Sequence, residues 1–74
     1  MGKLRREDDP LLQNLGKRIK EIRLNKKISQ ANLALTCEMD KSTLSKIESG
    51  KVNISYLILF RLSKCLEVPM SELI

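Results

Sequence analysis

Between positions 41 and 49, KSTLSKIES sets Lys41, Ser42, Thr43, Ser45, Lys46 and Ser49 around only two large apolar residues, Leu44 and Ile47. Hydroxyl and ammonium groups donate hydrogen bonds, and lysine adds a point charge, so together they suit an oxygen-rich, anionic surface. If the segment is helical, steps of about 100° put Leu44 and Ile47 on one side and Ser42, Ser45, Lys46 and Ser49 on the other, with Lys41 at the exposed start. The outward face carries no acid, whereas a merely solvated helix tends to alternate Glu and Lys at i, i+4. Its short side chains would let the helix axis approach another surface closely. A plain solvated Ser/Lys face is the alternative that this helix alone leaves open.

The elements that must hold this face are legible from periodicity. Leu12, Leu15, Ile19 and Ile22 recur at spacings of three and four, which predicts helix 1 from Leu12 to about Asn25. Ser29 is a suitable N-cap for helix 2, which contains Leu33, Ala34 and Cys37. Asp40 is a second N-cap candidate, and Gly50 can end helix 3 in the left-handed conformation. Ser55 precedes YLILFRLSKCL, predicted as helix 4 with Leu59, Leu62 and Leu66 inward, and Met70 to Ile74 are expected to form a last helical turn after Pro69. Arg23 and Glu48 both fall beside inward stripes. Opposite charges turned inward on neighbouring helices predict a partly buried ion pair, because an unpaired buried charge is far costlier.

Bulk properties narrow the function further. A chain of 74 residues builds one domain around one small core. Lys and Arg outnumber Asp and Glu by 14 to 9, a net charge of +5 that favours an anionic partner. Histidine is absent, and Cys37 and Cys65 lack ligand-like neighbours, which removes the common catalytic and zinc constellations. The two cysteines are expected to be buried, reduced, small hydrophobes, with a disulfide or redox role as the alternative. No stretch approaches the ~18 to 20 consecutive apolar residues of a membrane span. MGKLRREDDP lacks the apolar centre of a secretory signal, and residues 1–10 are expected to be a flexible arm preceding a domain over residues 11–74.

LGKRIKEIR, SQANLA, STLSKIESGK and LFRLSKCLEVPMSEL, dispersed from Leu15 to Leu73, resemble the Cro/C1-type (XRE-like) helix-turn-helix family of phage Cro and repressor proteins and their bacterial relatives. Within it the chain looks most like the small stand-alone regulators, including the controller proteins of restriction-modification systems. The resemblance implies an all-α, five-helix lambda-repressor-like domain with the helix-turn-helix at helices 2 and 3, and a sequence-specific, DNA-binding transcriptional regulator rather than an enzyme. It implies that Lys41, Ser42, Thr43, Ser45 and Lys46 read bases, and that Ser29, Gln30, Ser49, Gly50, Lys51 and Asn53 face phosphates. Gln30 matches the glutamine that also braces the start of the recognition helix, Ala34 the small residue at the close crossing of helices 2 and 3, and Arg23 with Glu48 the family's inward ion pair. Glu38 departs from the pattern, because glycine is usual there; if the turn keeps a positive φ the cost is of order 1 kcal/mol.

Such a domain makes few base contacts, so a homodimer on two-fold, double-stranded DNA is expected, with recognition helices about 34 Å apart. On helix 4 the face opposite Leu59, Leu62 and Leu66 carries Leu57 and Phe60 beside Arg61 and Lys64. Leu57, Phe60, Arg61, Pro69, Leu73 and Ile74 are therefore the expected dimer interface. Coverage of that face by the last turn or the arm is the alternative. No cofactor, metal, small-molecule ligand or membrane partner is expected, and the implied location is the bacterial or phage-infected cytoplasm, at the nucleoid. A different function for the same fold is a protein-interaction module, such as the antitoxin of a toxin-antitoxin pair.

Overall fold

The computed structural model describes residues 10–74. Four α-helices follow one another: α1 (Pro10–Asn25), α2 (Gln30–Thr36), α3 (Lys41–Glu48) and α4 (Tyr56–Leu66). The expected flexible arm lies outside the described residues except for Pro10. That residue belongs instead to α1, where proline suits the first helical position because its missing N–H would have no partner there anyway.

The fifth helix is corrected to a single 3-10 turn at Met70–Glu72. The amides of Glu72 and Leu73 donate to the carbonyls of Pro69 and Met70 at 3.0 and 2.9 Å. Five residues are too few to offset the nucleation of an α-helix, whereas one tight turn drops Leu73 into the core at 2% exposure. Arg18 ties this turn to α1, its Nε donating to the Glu72 carbonyl at 2.7 Å.

The core gathers Ile19 and Ile22 from α1, Leu33, Ala34 and Cys37 from α2 and its cap, Leu44 and Ile47 from α3, and Leu59, Leu62 and Leu66 from α4, with Leu73 closing it. Every inward residue of the helical stripes in α3 and α4 is where periodicity places it. Cys37 is buried and Cys65 half-buried, and both are free thiols. Gly16 sets the crossing of α1 over α3: a Cβ there would lie 2.6 Å from the carbonyl oxygen of Glu48 and closer still to that of Ile47. Only glycine lets the two backbones meet so tightly.

Helix ends are built by one recurring device. Ser29 and Ser55 cap α2 and α4 as expected, their Oγ atoms accepting from the amides of Asn32 at 3.0 Å and Ile58 at 3.2 Å. Asp40 occupies the N-cap of α3, but its side chain makes no capping bond. At the C-termini, paired bonds close each helix: Ile28 to Arg23 with Lys27 to Leu24, Met39 to Ala34 with Glu38 to Leu35, Lys51 to Lys46 with Gly50 to Ile47, and Val68 to Ser63 with Glu67 to Lys64. This is the Schellman arrangement, which requires a left-handed residue. Lys27, Glu38, Gly50 and Glu67 take that role, with φ of 59°, 55°, 74° and 57°. Only one of them is glycine, and the turn before α3 keeps a positive φ with Glu38 in that position. Ile28, Met39 and Val68, each one residue further on, pack against the core and offset the cost of a positive φ.

Candidate nucleic-acid interface

α3 is anchored on one side only. Leu44 is fully enclosed and Ile47 and Glu48 are 5% and 6% exposed, while Lys41, Ser42, Thr43, Ser45, Lys46 and Ser49 all face solvent. The outward ridge is thus continuous along the helix, and no described part of the chain covers it. Asn53 and Ser55 share a hollow with Thr43 and Lys46, which brings the loop after α3 beside the ridge. A helix of this kind, polar, short-chained and free of acids outward, can present donors to base edges and ammonium groups to phosphates.

Behind it lies the expected ion pair. Arg23 Nε donates to Glu48 Oε2 at 2.7 Å and Nη2 to Oε1 at 3.1 Å, a two-point contact with both side chains almost wholly buried. Nη1 of Arg23 donates to the Ile28 carbonyl at 2.9 Å. Buried pairs of this sort contribute less to net stability than to fixed geometry, and here the geometry fixed is that of α1 against α3 and of the turn into α2.

The sequence-derived phosphate set divides. Lys51 and Asn53 are exposed, as is Ser29, whose oxygen is engaged as a cap. Gln30 does not brace the start of α3: its Nε2 donates to Glu48 Oε1 at 3.0 Å, near the end of that helix. Ser49 is exposed, and its hydroxyl donates to the carbonyls of its own helix, Ser45 at 2.8 Å and Lys46 at 3.3 Å. Gly50 is corrected as a phosphate-facing residue. It is buried, its amide donates to the Ile47 carbonyl at 3.1 Å, and a Cβ would collide with Gln13 at 2.7 Å, so its role is to end α3 beneath α1.

On α4 the expected outward apolar face is real: Leu57 is 62% and Phe60 41% exposed, with Lys64 Nζ 5.3 Å above the Phe60 ring. Arg61, Pro69 and Ile74 are exposed too. Leu73 is removed from the interface set, since its side chain is core. Tyr56, 76% exposed at the start of α4, was not in that set. A stripe drawn through Leu57 and Phe60 alone passes it by, although the same helical projection puts it one step to the side. Burial pushes the Cys37 thiol up to about 12, with the neighbouring Cys65 thiol adding to the effect and Arg61 opposing it. That excludes Cys37 as a reactive nucleophile.

Residues 19–73 match the helix-turn-helix family. The match spans most of the chain, which therefore belongs to this family: it is a member of the Cro/C1-type, XRE-like class of DNA-binding proteins. Within the class the proteins it is similar to include controllers. It is 35% identical over 60 residues to the control protein C.BamHI of Bacillus amyloliquefaciens, covering 80% of this chain and 74% of that protein. The restriction-modification controller protein C.AhdI of Aeromonas hydrophila superposes with a TM-score of 0.83 at 32% identity, over 85% of this chain and 96% of that one. The clp gene regulator ClgR of Corynebacterium glutamicum matches the fold, with a TM-score of 0.84 at 22% identity over 88% of this chain and 84% of that one.

Proposed function

We propose that this protein is a sequence-specific transcriptional regulator of the controller type, binding a two-fold DNA site as a homodimer with α3 in the major groove. The observation that carries the reading is the unobstructed ridge of Ser42, Ser45 and Lys46 on a helix whose other face is locked into the core. Lys41 and Lys46 favour guanine O6 and N7, the Thr43 methyl suits a thymine methyl, and Ser42 and Ser45 accept several bases. Lys51, with Ser29 and Asn53, holds phosphates and sets register. The exposed Tyr56, Leu57 and Phe60 bring two copies together, so that site occupancy depends on protein concentration. The similarity to C.BamHI and C.AhdI supports this role.

The same apolar α4 face supports a second reading, an antitoxin-like module that grips a different protein. Selection of bound duplexes from a random pool separates the two. The regulator reading expects a palindromic consensus from the protein alone; a pool that stays random, with a second protein co-purifying in stoichiometric amount, favours the module.

A further inference from the structure

Cys37 and Cys65 stand 28 positions apart in sequence and side by side in the fold. Cys37 closes the C-terminus of α2 and is buried, and its Sγ donates to the Arg61 carbonyl of α4 at 3.8 Å. In an α-helix that carbonyl also accepts from the amide four residues on, which is that of Cys65, and helical side chains lean back toward the N-terminus. The Cys65 thiol is thus turned toward the same carbonyl from its own helix, close enough to Cys37 to help keep the Cys37 proton in place. Cys65 is only half-buried, on the flank of α4 between the core residue Leu62 and the exposed Arg61. One thiol can meet a dissolved reagent, and the other lies directly behind it.

We propose that the two thiols form an exchange site for low-molecular-weight disulfides of the glutathione class, closing reversibly into a Cys37–Cys65 disulfide that tethers α2 to α4. The Cys65 thiolate attacks one sulfur of the reagent, forming a mixed disulfide and releasing one thiolate. Cys37 then attacks the Cys65 sulfur; the Cys37–Cys65 bond forms, and the second half of the reagent leaves with the Cys37 proton. The reagent takes up two electrons and departs as two thiols, and excess thiol reverses the sequence. Cys37 holds its proton too firmly to react with a reagent in solution, but here its target is held in contact, so the second step is intramolecular. The first step also converts the Cys65 thiol to a neutral mixed disulfide, which removes its share of the effect that holds that proton.

The consequence is mechanical. Cys37 directly precedes Glu38, whose left-handed turn leads into α3, whereas α4 carries the exposed Leu57 and Phe60. Closure ties the α2–α3 unit to that helix between groups already adjacent in the reduced fold, so it requires no unfolding. This holds whatever the protein binds.

To test it, reduced protein is incubated with oxidised glutathione, remaining thiols are blocked with N-ethylmaleimide, and a tryptic digest is read by mass spectrometry. Trypsin separates the two cysteines into residues 28–41 and 65–74, so the disulfide appears as these two peptides joined in a monomer-derived product. Closure should raise Tm by on the order of 10 °C, because the cross-link restricts the unfolded chain, and excess dithiothreitol should reverse both changes. Cys37→Ala should stop at a stable glutathione adduct on Cys65, and Cys65→Ala should stay unmodified while folded. Wild-type protein that does not react, that accumulates the Cys65 adduct without the joined peptides, that links two copies, or that melts lower once joined overturns the proposal. So does a folded Cys65→Ala protein that takes up glutathione on Cys37. The joined peptides are sought in the wild type, so a variant that fails to fold leaves the test standing.

Discussion

The amide of Met39 donates to the carbonyl of Ala34 at 2.9 Å, and this bond folds the chain between α2 and α3 through Glu38 at a φ of 55°. A left-handed conformation costs a residue with a Cβ roughly 1–2 kcal/mol, and glycine removes that cost while adding about 0.5–1 kcal/mol of unfolded-state entropy. Glu38→Gly should therefore raise stability by about 0.5 kcal/mol, or about 2–4 °C in Tm for a domain of this size. Calorimetry checks it; an unchanged or lower Tm means that packing of Met39 against the core has already relaxed the turn.

Phe60 and Leu57 stand on the face of α4 that points away from Leu62 and Leu66. In the proposed homodimer, Phe60→Glu would place a charge on the two-fold interface, where it would meet its own copy. Sedimentation velocity should show the wild type as a dimer and the variant as a monomer with its helical spectrum intact. A variant that still sediments as a dimer moves the interface elsewhere.

Cys37 gives the fold a sensitivity to alkali. Its thiol ionises near 9 when exposed and at about 12 in the folded protein, so the folded state favours the protonated form. The resulting stabilisation is fully present below pH 9 and is lost as pH rises from 9 towards 12. The informative quantity is a difference between the wild type and a variant without the thiol. Between pH 9 and 12 the Tm of the wild type should fall more steeply than that of Cys37→Ala, and parallel curves would mean that the Cys37 thiol does not contribute.

Most of the site was legible because it depends on local periodicity. Leu44 and Ile47 fix which way Ser42, Ser45 and Lys46 point, and opposite inward charges at Arg23 and Glu48 identify each other. What sequence left hidden depends on tertiary approach or on geometry shared between elements. Nothing near Gly16 announces that α3 will pass within contact distance of it, and the pattern that marks Gly50 as the end of α3 does not show Gln13 packed against it. Three of the four helix ends use Lys27, Glu38 and Glu67 where glycine is the usual signal. Their turns are held by the bonds and apolar contacts of the following residue, which a residue-by-residue propensity does not register. Met70 to Ile74 carry a helix-like spacing, but the segment is too short to keep an α-helix, and one turn suffices to bury Leu73.

The central claim is that the outward ridge of α3 reads bases while the residue just beyond it holds the backbone. Binding of Lys46→Ala and Lys51→Ala to a set of duplexes differing by single base pairs, each measured across a salt series, tests that division directly. Lys46→Ala should lose about 1–3 kcal/mol and change the preferred base pair at one position in each half-site, whereas Lys51→Ala should weaken all duplexes alike and reduce the salt slope by about one. Equal losses from both variants on every duplex, with no change in preference, would contradict the account.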